Sequence, residues 1–120
     1  MAKMFDLPTF QDPRGSLTVL QEEIPFKIAR VYWIYGADGS LRGGHRHLKT
    51  IQALVCVSGQ CAVEVVKGAK RDSFLLVDPK QCLLLDPEDW HTLQPQKNAA
   101  ILVMASHPYE ATDYVLEPLA

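Results

Sequence analysis

The sequence predicts an all-β fold of short antiparallel strands, either a barrel or a sandwich. Three observations support this: the apolar runs are short and rich in β-branched and aromatic residues, turn residues recur about every ten positions, and eight prolines interrupt the chain. This punctuation leaves no room for helices of more than about two turns. Because the chain has 120 residues and 48% of them are hydrophobic, we expect one domain, residues 1–120, with a substantial core.

The N-terminal part of the chain predicts two strands ahead of the histidines. Residues 16–20 follow the turn sequence of residues 12–15 and include threonine, valine and leucine. Residues 27–35 are rich in β-branched and aromatic side chains and are ended by the glycines of residues 36–39. A glycine-rich approach, residues 42–44, then leads into the strand that carries the histidines.

The C-terminal part predicts further strands separated by turns. Residues 51–57 and 61–66 flank the turn Ser58-Gly59 and are predicted to pair as a hairpin. The other strands are predicted at residues 73–77, 81–85 and 99–105, with turns at residues 67–70 and 78–79. The tail over residues 109–115 is predicted to form a helical turn or an edge strand.

The charge and hydropathy of the chain exclude several classes of function. The net charge of -2 and the pI near 6.0 lack the basic excess of a nucleic-acid binder or a polybasic membrane-surface protein. No apolar run approaches the roughly 20 residues that span a bilayer, and the first residues lack the apolar stretch of a signal peptide. We therefore expect a cytoplasmic protein, in which locally placed arginines or lysines would bind an anionic substrate.

The histidine strand has the spacing of the first cupin motif, Gly-x5-His-x-His-x4-Glu-x6-Gly. The matching positions are Gly39, His45, His47, Gln52 and Gly59, with glutamine in the place of the motif glutamate. Residues two apart on a strand point to the same face, so His45 and His47 are predicted to enter a barrel while Arg46 points away. The sequence therefore predicts a small single-domain cupin, an RmlC-like jelly-roll barrel.

A third imidazole raises the question of a metal ion. His91 follows an apolar strand near the second cupin motif, which would bring it to the same mouth as His45 and His47. Imidazoles bind zinc, nickel, copper or iron, but Gln52 brings no anionic oxygen to such a site. We therefore expect acid–base chemistry without a metal. A metal-binding cupin, or histidines that only pack on a polar strand face, are the alternatives.

Five segments of the chain resemble the bacterial dTDP-4-keto-6-deoxyglucose 3,4-ketoisomerase family. They are residues 12–17 (DPRGSL), 25–32 (PFKIARVY), 42–47 (RGGHRH), 52–59 (QALVCVSG) and 109–114 (YEATDY). They fall in the same order over nearly the whole chain. The chain departs from the family signature, which resembles Arg-Gly-x-His-Ala-His-Lys, at Arg46 and at Leu48.

The resemblance implies a cofactor-free cupin that isomerises a nucleotide-linked 4-keto-6-deoxyhexose, with dTDP as the expected nucleotide, to its 3-keto form. It also implies a homodimer with exchanged N-terminal strands. A 4,6-dehydratase and a 3-aminotransferase are the expected pathway neighbours in deoxyamino-sugar biosynthesis. The pair Arg14-Gly15 resembles the family branch whose product has inverted C4, the galacto series.

The chemistry of this reaction suits histidine. Moving a carbonyl from C4 to C3 requires removal of the C3 proton, an enediolate, and return of a proton at C4, and imidazole exchanges protons near neutrality. We expect His47 to be the C3 base and His45 the proton donor or shuttle. Tyr32 and Tyr35 lie on opposite strand faces by parity, and Tyr32 is the candidate that stabilises the enediolate.

The remaining candidates bind the substrate. Arginine binds phosphate oxygens bidentately, so arginines near the histidines are candidates for the diphosphate. The candidate substrate-binding residues are Arg14, Gly15, Arg30, Arg42, Gln52, Trp90 and His91. Trp33, Trp90 or a tyrosine is the candidate that stacks on the nucleobase. The alternative functions are a nucleotide-sugar 3,5-epimerase of the same cupin class, and a sugar- or metal-binding cupin without turnover.

Overall fold

The computed structural model describes residues 1–120 and contains twelve strands and one 3-10 turn. The strands are β1 (Lys3–Asp6), β2 (Thr9–Asp12), β3 (Gly15–Thr18), β4 (Arg30–Ile34), β5 (Arg42–His47), β6 (Gln52–Ser58), β7 (Cys61–Lys67), β8 (Lys70–Leu76), β9 (Gln81–Leu85), β10 (Trp90–Pro95), β11 (Ala100–Ala105) and β12 (Tyr114–Val115). The 3-10 turn, Ala111–Asp113, immediately precedes β12, so the tail combines the two structures that its sequence left open. The fold contains no helix of the length and hydrophobicity that a bilayer crossing requires.

The strands form two five-stranded antiparallel sheets and a separate hairpin. The first sheet has the order β1-β9-β6-β11-β4, the second has the order β12-β5-β10-β7-β8, and β2 pairs only with β3. The core lies between the two large sheets. It follows the alternation expected of strands: on β7, Cys61, Val63 and Val65 are fully buried while Glu64 between them is exposed.

The hairpin predicted for residues 51–57 and 61–66 is wrong. Strand β6 pairs with β9 and β11 in the first sheet, whereas β7 pairs with β8 and β10 in the second. The turn at Gly59 therefore carries the chain across the sandwich. Gly59 has φ +73° and lies so close to Ala99 that a Cβ would be 3.0 Å from its Cα. This tight corner directs β7 to the opposite sheet.

The outer face of the first sheet is also apolar, which explains why β6 is hydrophobic on both faces. Ala53 and Val55 of β6 point outward and are buried beneath Leu7 and Ile24, together with Met104 of β11. The segment between β3 and β4 thus covers part of this face. Residues 27–29 belong to this covering segment and not to the strand, so β4 begins at Arg30 rather than at the predicted residue 27.

Candidate active site

A β-bulge shapes the strand that carries the histidines. His91 of β10 pairs with His45, and Thr92 pairs with Gly43, so Gly44 is an extra residue on β5. Gly43 and Gly44 have φ values of +83° and +80°, a conformation that favours glycine. Because the bulge changes the side-chain alternation, Arg42 and His45 line the same cavity although they are three residues apart.

That cavity opens between the two sheets, and half of the residues that line it are apolar. Its lining residues are Tyr32, Ile34, Arg42, Gly43, His45, Gln52, Leu54, His91, Leu93 and Val103. Five of these were predicted as site residues from the sequence: Tyr32, Arg42, His45, Gln52 and His91. Tyr35, on the opposite face of the same strand segment as Tyr32, is 73% exposed.

The three imidazoles form one cluster next to the cavity. The ring of His45 lies 5.1 Å from the ring of His47 and 5.1 Å from that of His91, and the last two are 6.4 Å apart. His47 and His91 are buried, whereas His45 is partly exposed at the cavity. The ring of Tyr114, on β12, packs 4.8 Å from His45 and 4.5 Å from His47. Packing therefore fixes the orientation of both imidazoles of β5.

Asp113, which precedes β12, holds the ring of His47. Its Oδ2 lies 2.8 Å from Nδ1 of His47 and accepts a hydrogen bond of 2.5 Å from the Thr50 hydroxyl. Its Oδ1 accepts the backbone N–H groups of Leu48 at 3.2 Å and Lys49 at 2.8 Å. Burial opposes ionisation of this carboxyl, but the hydrogen bonds from Thr50 and His47 outweigh burial and lower the pKa of Asp113. Asp113 is therefore an anion.

An anionic Asp113 sets the tautomer of His47. The carboxylate only accepts, so Nδ1 of His47 carries the proton and the lone pair remains on Nε2. Nε2 is buried and has no hydrogen-bond partner in the chain. The arrangement is that of an imidazole and its orienting carboxylate, with the second ring nitrogen left without a partner.

Burial keeps the three imidazoles neutral. Burial lowers the pKa of His45, and the neighbouring His47 lowers it further. Burial also lowers the pKa of His47, although the hydrogen bond to Asp113 opposes the shift. Burial lowers the pKa of His91 to about 4. All three are therefore uncharged at neutral pH, and each keeps a lone pair on one ring nitrogen.

Tyr32 lies on the opposite wall of the cavity as a neutral phenol. Its hydroxyl oxygen is 3.0 Å from Nε2 of Gln52, and burial raises its pKa above the usual value. The guanidinium of Arg30 lies 5.1 Å from the centre of the Tyr32 ring. Nη2 of Arg30 also donates, at 3.5 Å, to the hydroxyl of Tyr114. Arg30 thus links the wall of Tyr32 to the segment that carries Asp113.

Three predicted site residues lie away from the cavity. Arg14 and Gly15 are at the tip of the β2–β3 hairpin, where the Arg14 side chain is 90% exposed and ion-paired with Asp12. Trp90 directs its indole N–H to the carbonyl oxygen of Leu116 at 2.9 Å. Within one chain none of these three residues lines the cavity, although Trp90 directly precedes His91.

Sequence reasoning missed Asp113, Thr50 and Tyr114 as site residues. Asp113 is 66 positions from His47. No motif spacing predicts that the polar C-terminal segment contacts a strand in the middle of the chain. The available signal was the resemblance of residues 109–114 to a family segment, which marked the tail without indicating a role.

A family model described as "FdtA: WxcM-like, C-terminal" matches residues 1–119. The chain is 36% identical over 117 residues to TDP-4-oxo-6-deoxy-alpha-D-glucose-3,4-oxoisomerase of Aneurinibacillus thermoaerophilus, covering 94% of this chain and 84% of that protein. Its fold matches a 3,4-ketoisomerase from Helicobacter canadensis with a TM-score of 0.92 and 31% identity, covering 97% of this chain and 90% of the other.

The sugar 3,4-ketoisomerase QdtA from Thermoanaerobacterium thermosaccharolyticum, solved in complex with TDP, also matches with a TM-score of 0.92. It is 30% identical, and the match covers 97% of this chain and 88% of QdtA. The rmlC epimerase of Mycobacterium tuberculosis has a TM-score of 0.83 at 20% identity, covering 94% of this chain and 66% of the epimerase, a likeness of fold alone. The predicted RmlC-like cupin barrel is confirmed by these structures.

Proposed function

The chain belongs to the FdtA family (WxcM-like, C-terminal) and is a TDP-sugar 3,4-ketoisomerase, and from this premise we propose how its residues carry out the reaction. The 3,4-ketoisomerase activity predicted from the sequence is confirmed by relatives of 30% identity or more that are named as 3,4-ketoisomerases or oxoisomerases. The alternative of a 3,5-epimerase has only a likeness of fold in its favour, at 20% identity.

The pair formed by His47 and Asp113 is the observation that carries the mechanism. His47 removes the C3 proton of the 4-keto sugar with Nε2, whose lone pair is free because Asp113 holds the proton on Nδ1. As the imidazolium forms, the neighbouring carboxylate stabilises its charge. Both side chains are almost fully buried, so water does not weaken this attraction.

The proton must then reach C4 while the hydroxyl proton moves from O3 to O4. His45 lines the cavity beside His47 and serves as the donor or shuttle for the C4 proton. Tyr32, a protonated phenol on the opposite wall, donates a hydrogen bond to the enediolate oxygen. The C3–H and O3–H bonds break, the C4–H and O4–H bonds form, and no electron acceptor is required. The isomerisation therefore needs no redox cofactor.

The substrate enters where cationic and polar side chains meet the cavity. Arg42, exposed at the bulge, binds the diphosphate, and Arg30 adds positive charge beside Tyr32. Gln52 and His91 line the cavity and bind the sugar. Trp90 is assigned to nucleotide binding from the sequence, and its indole N–H is already used by the C-terminal segment. Residues 1–120 form one catalytic domain.

The β2–β3 hairpin supports a homodimer with exchanged N-terminal strands. The hairpin pairs with neither large sheet, and it exposes Phe10 by 64% and Leu17 by 60%. An apolar groove that includes Leu20, Val55 and Leu102 lies on the outer face of the first sheet. Burying the hairpin against a partner would cover these surfaces and would carry Arg14 and Gly15 away from their own barrel.

The dimer is tested by replacing both exposed side chains, in Phe10→Ser/Leu17→Ser. Light scattering with size-exclusion chromatography should give a dimer for the wild type and a monomer for the double variant. As a matched control, Leu75→Ser on the edge strand β8 also removes a half-exposed apolar side chain and should remain dimeric. A monomeric wild type would contradict the proposal.

In the cell, the proposal places the enzyme in the cytoplasm between two reactions. A 4,6-dehydratase supplies the 4-keto-6-deoxy sugar, and a 3-aminotransferase uses the 3-keto product for deoxyamino-sugar biosynthesis. The order follows from the chemistry, because an aminotransferase requires a carbonyl at the carbon that it aminates.

The decisive experiment uses dTDP-4-keto-6-deoxyglucose and its UDP and GDP counterparts in D2O. NMR should show the 3-keto isomer with deuterium at the exchanged carbon, most rapidly for the dTDP sugar. His47→Asn should abolish deuterium incorporation while the nucleotide sugar still binds. His107→Asn, which changes a histidine bonded to Ser106 outside the cavity, is the control and should retain activity. Undiminished exchange in His47→Asn would reject His47 as the base.

A further inference from the structure

Gln52 occupies the position at which the cupin motif has a glutamate. Its side chain is only 2% exposed and lines the cavity. Nε2 of Gln52 lies 3.0 Å from the hydroxyl oxygen of Tyr32, and Oε1 is buried without a hydrogen-bond partner. Gln52 therefore has one atom bonded to a candidate catalytic residue and one atom that no group of the chain satisfies.

The direction of the bond between Gln52 and Tyr32 determines what Tyr32 can do. An amide nitrogen only donates, so the hydroxyl oxygen of Tyr32 accepts from Gln52 and retains its own proton for another acceptor. The Tyr32 hydroxyl donates to no acceptor within the chain, and its ring lines the cavity. The proton of the phenol is therefore free to reach an oxygen atom of a bound sugar.

We propose that Gln52 is a positioning residue that holds the Tyr32 hydroxyl as a hydrogen-bond donor toward the sugar oxyanion, and that its Oε1 accepts a hydroxyl of the sugar. The inference rests on the proposed isomerase mechanism and assigns this role to one amide. A buried amide oxygen without a partner is unfavourable, and a sugar hydroxyl that enters the cavity satisfies it. Gln52 thus couples sugar binding to stabilisation of the enediolate.

A glutamate at this position would reverse the effect. An ionised carboxylate has the same shape as the amide but only accepts, so the Tyr32 hydroxyl would donate to residue 52 instead of to the sugar. The carboxylate would also bring negative charge toward the enediolate. Neutral glutamine is therefore what allows Tyr32 to act on an oxyanion.

The test is Gln52→Glu, measured by steady-state turnover of the 4-keto sugar. Losing one oxyanion donor should lower kcat about 10²- to 10³-fold, with little change in KM because an acceptor oxygen is retained. In a Tyr32→Phe background, Gln52→Glu should cause little further loss, since its effect acts through the Tyr32 hydroxyl. Gln94→Glu makes the same chemical change on an exposed residue of β10 and should leave kcat unaltered.

Two further measurements address metal binding by the new glutamate and a failure of the variant to fold. Metal analysis and activity with a chelator exclude a metal ion recruited by the new glutamate as the cause of the loss. If Gln52→Glu does not fold, Gln52→Met replaces it. That variant should raise KM and lower kcat. When it is combined with Tyr32→Phe, it should cause no further loss of kcat.

Wild-type kcat in Gln52→Glu, or losses that simply multiply in the double variant, would overturn the inference. Failure of the wild-type protein to isomerise any keto sugar would instead overturn the proposed function.

Discussion

His47 and His91 are two equally buried histidines with different partners. Each is 2% exposed, and each uses Nδ1 in a hydrogen bond: His47 with the carboxylate of Asp113 at 2.8 Å, His91 with the backbone carbonyl of Asp89 at 3.0 Å. Burial lowers both pKa values, that of His91 to about 4. Only at His47 does a neighbouring charged group, the Asp113 carboxylate, oppose this lowering of the pKa.

The difference shows that burial alone does not make a base. A buried imidazole with a carbonyl partner resists protonation, so His91 is suited to accept a hydrogen bond and not to hold a proton. A buried imidazole with a carboxylate partner takes the proton at lower cost because the product is an ion pair. These partners support the proposal of proton transfer at His47 and of substrate binding at His91.

The largest expected effect comes from removing the charge at His47, in Asp113→Asn. Turnover should fall about 10²- to 10⁴-fold, because the amide allows the wrong tautomer and no longer stabilises the imidazolium. Since Asp113 raises the pKa of His47, its loss should also move the acid limb of the kcat profile to lower pH. Glu110→Gln removes an acid of the same segment that pairs at the surface with Lys49 at 3.0 Å, and should behave as wild type. An unshifted profile would contradict the role assigned to Asp113.

The second effect is on stability and tests the region around His91. The pKa of His91 is about 4 in the fold against 6.5 for an ordinary histidine, so the unfolded chain binds the proton more readily. The stability that this difference gives is complete above pH 6.5 and is lost as the pH falls toward 4, by about 3 kcal/mol.

His91→Asn should remove that part of the acid destabilisation, as measured by denaturant unfolding between about pH 7.5 and pH 4, which spans the histidine transition. Groups that titrate in both proteins cancel in the comparison. The same slope in His91→Asn and in wild type would show that His91 is not the titrating group.

A smaller effect is expected at the β-bulge of Gly43 and Gly44, which lies opposite His91 and Thr92. A Cβ at Gly43 would lie 2.9 Å from the carbonyl oxygen of His91 and 3.3 Å from the Cα of Thr92, at φ +83°. Gly43→Ala should therefore destabilise the fold by about 1–3 kcal/mol and raise KM by displacing Arg42. Gly36→Ala also has positive φ but meets no atom within 4 Å, so it separates the backbone strain from the contact. Equal losses in the two variants would assign the effect to strain alone.

The smallest effect is expected at Arg46. Its Nε donates to the carbonyl oxygen of Glu117 at 3.0 Å, just beyond β12 and Asp113. Arg46→Ala should loosen the C-terminal segment by about 0.5 kcal/mol and lower kcat about two- to three-fold, because the bond is exposed to water. Hydrogen exchange of the amides around Val115 should increase, whereas Arg71→Ala on β8 should leave it unchanged. A loss as large as that of Asp113→Asn would contradict an exposed, supporting contact.

Much of the fold was predictable because strand alternation and turn residues are local signals. The strands at residues 81–85 and 99–105 lie within one residue of their predicted limits. The pairing of residues 51–57 with 61–66 was wrong, since the choice of partner depends on packing at Gly59 and Ala99 that no local pattern records. Strands β1 and β2 were missed because each has only four residues and is held by a distant partner or by the turn that follows.

The barrel class and the positions of His45, His47 and Gln52 were predictable because strand periodicity and motif spacing are properties of neighbouring residues. Which histidine has a carboxylate partner depends on the tertiary structure. Only folding brings Asp113 across 66 positions to Nδ1 of His47, and only the bulge at Gly44 turns Arg42 into the same cavity. A proton's position depends on the charge and burial that surround an atom, and the fold creates both.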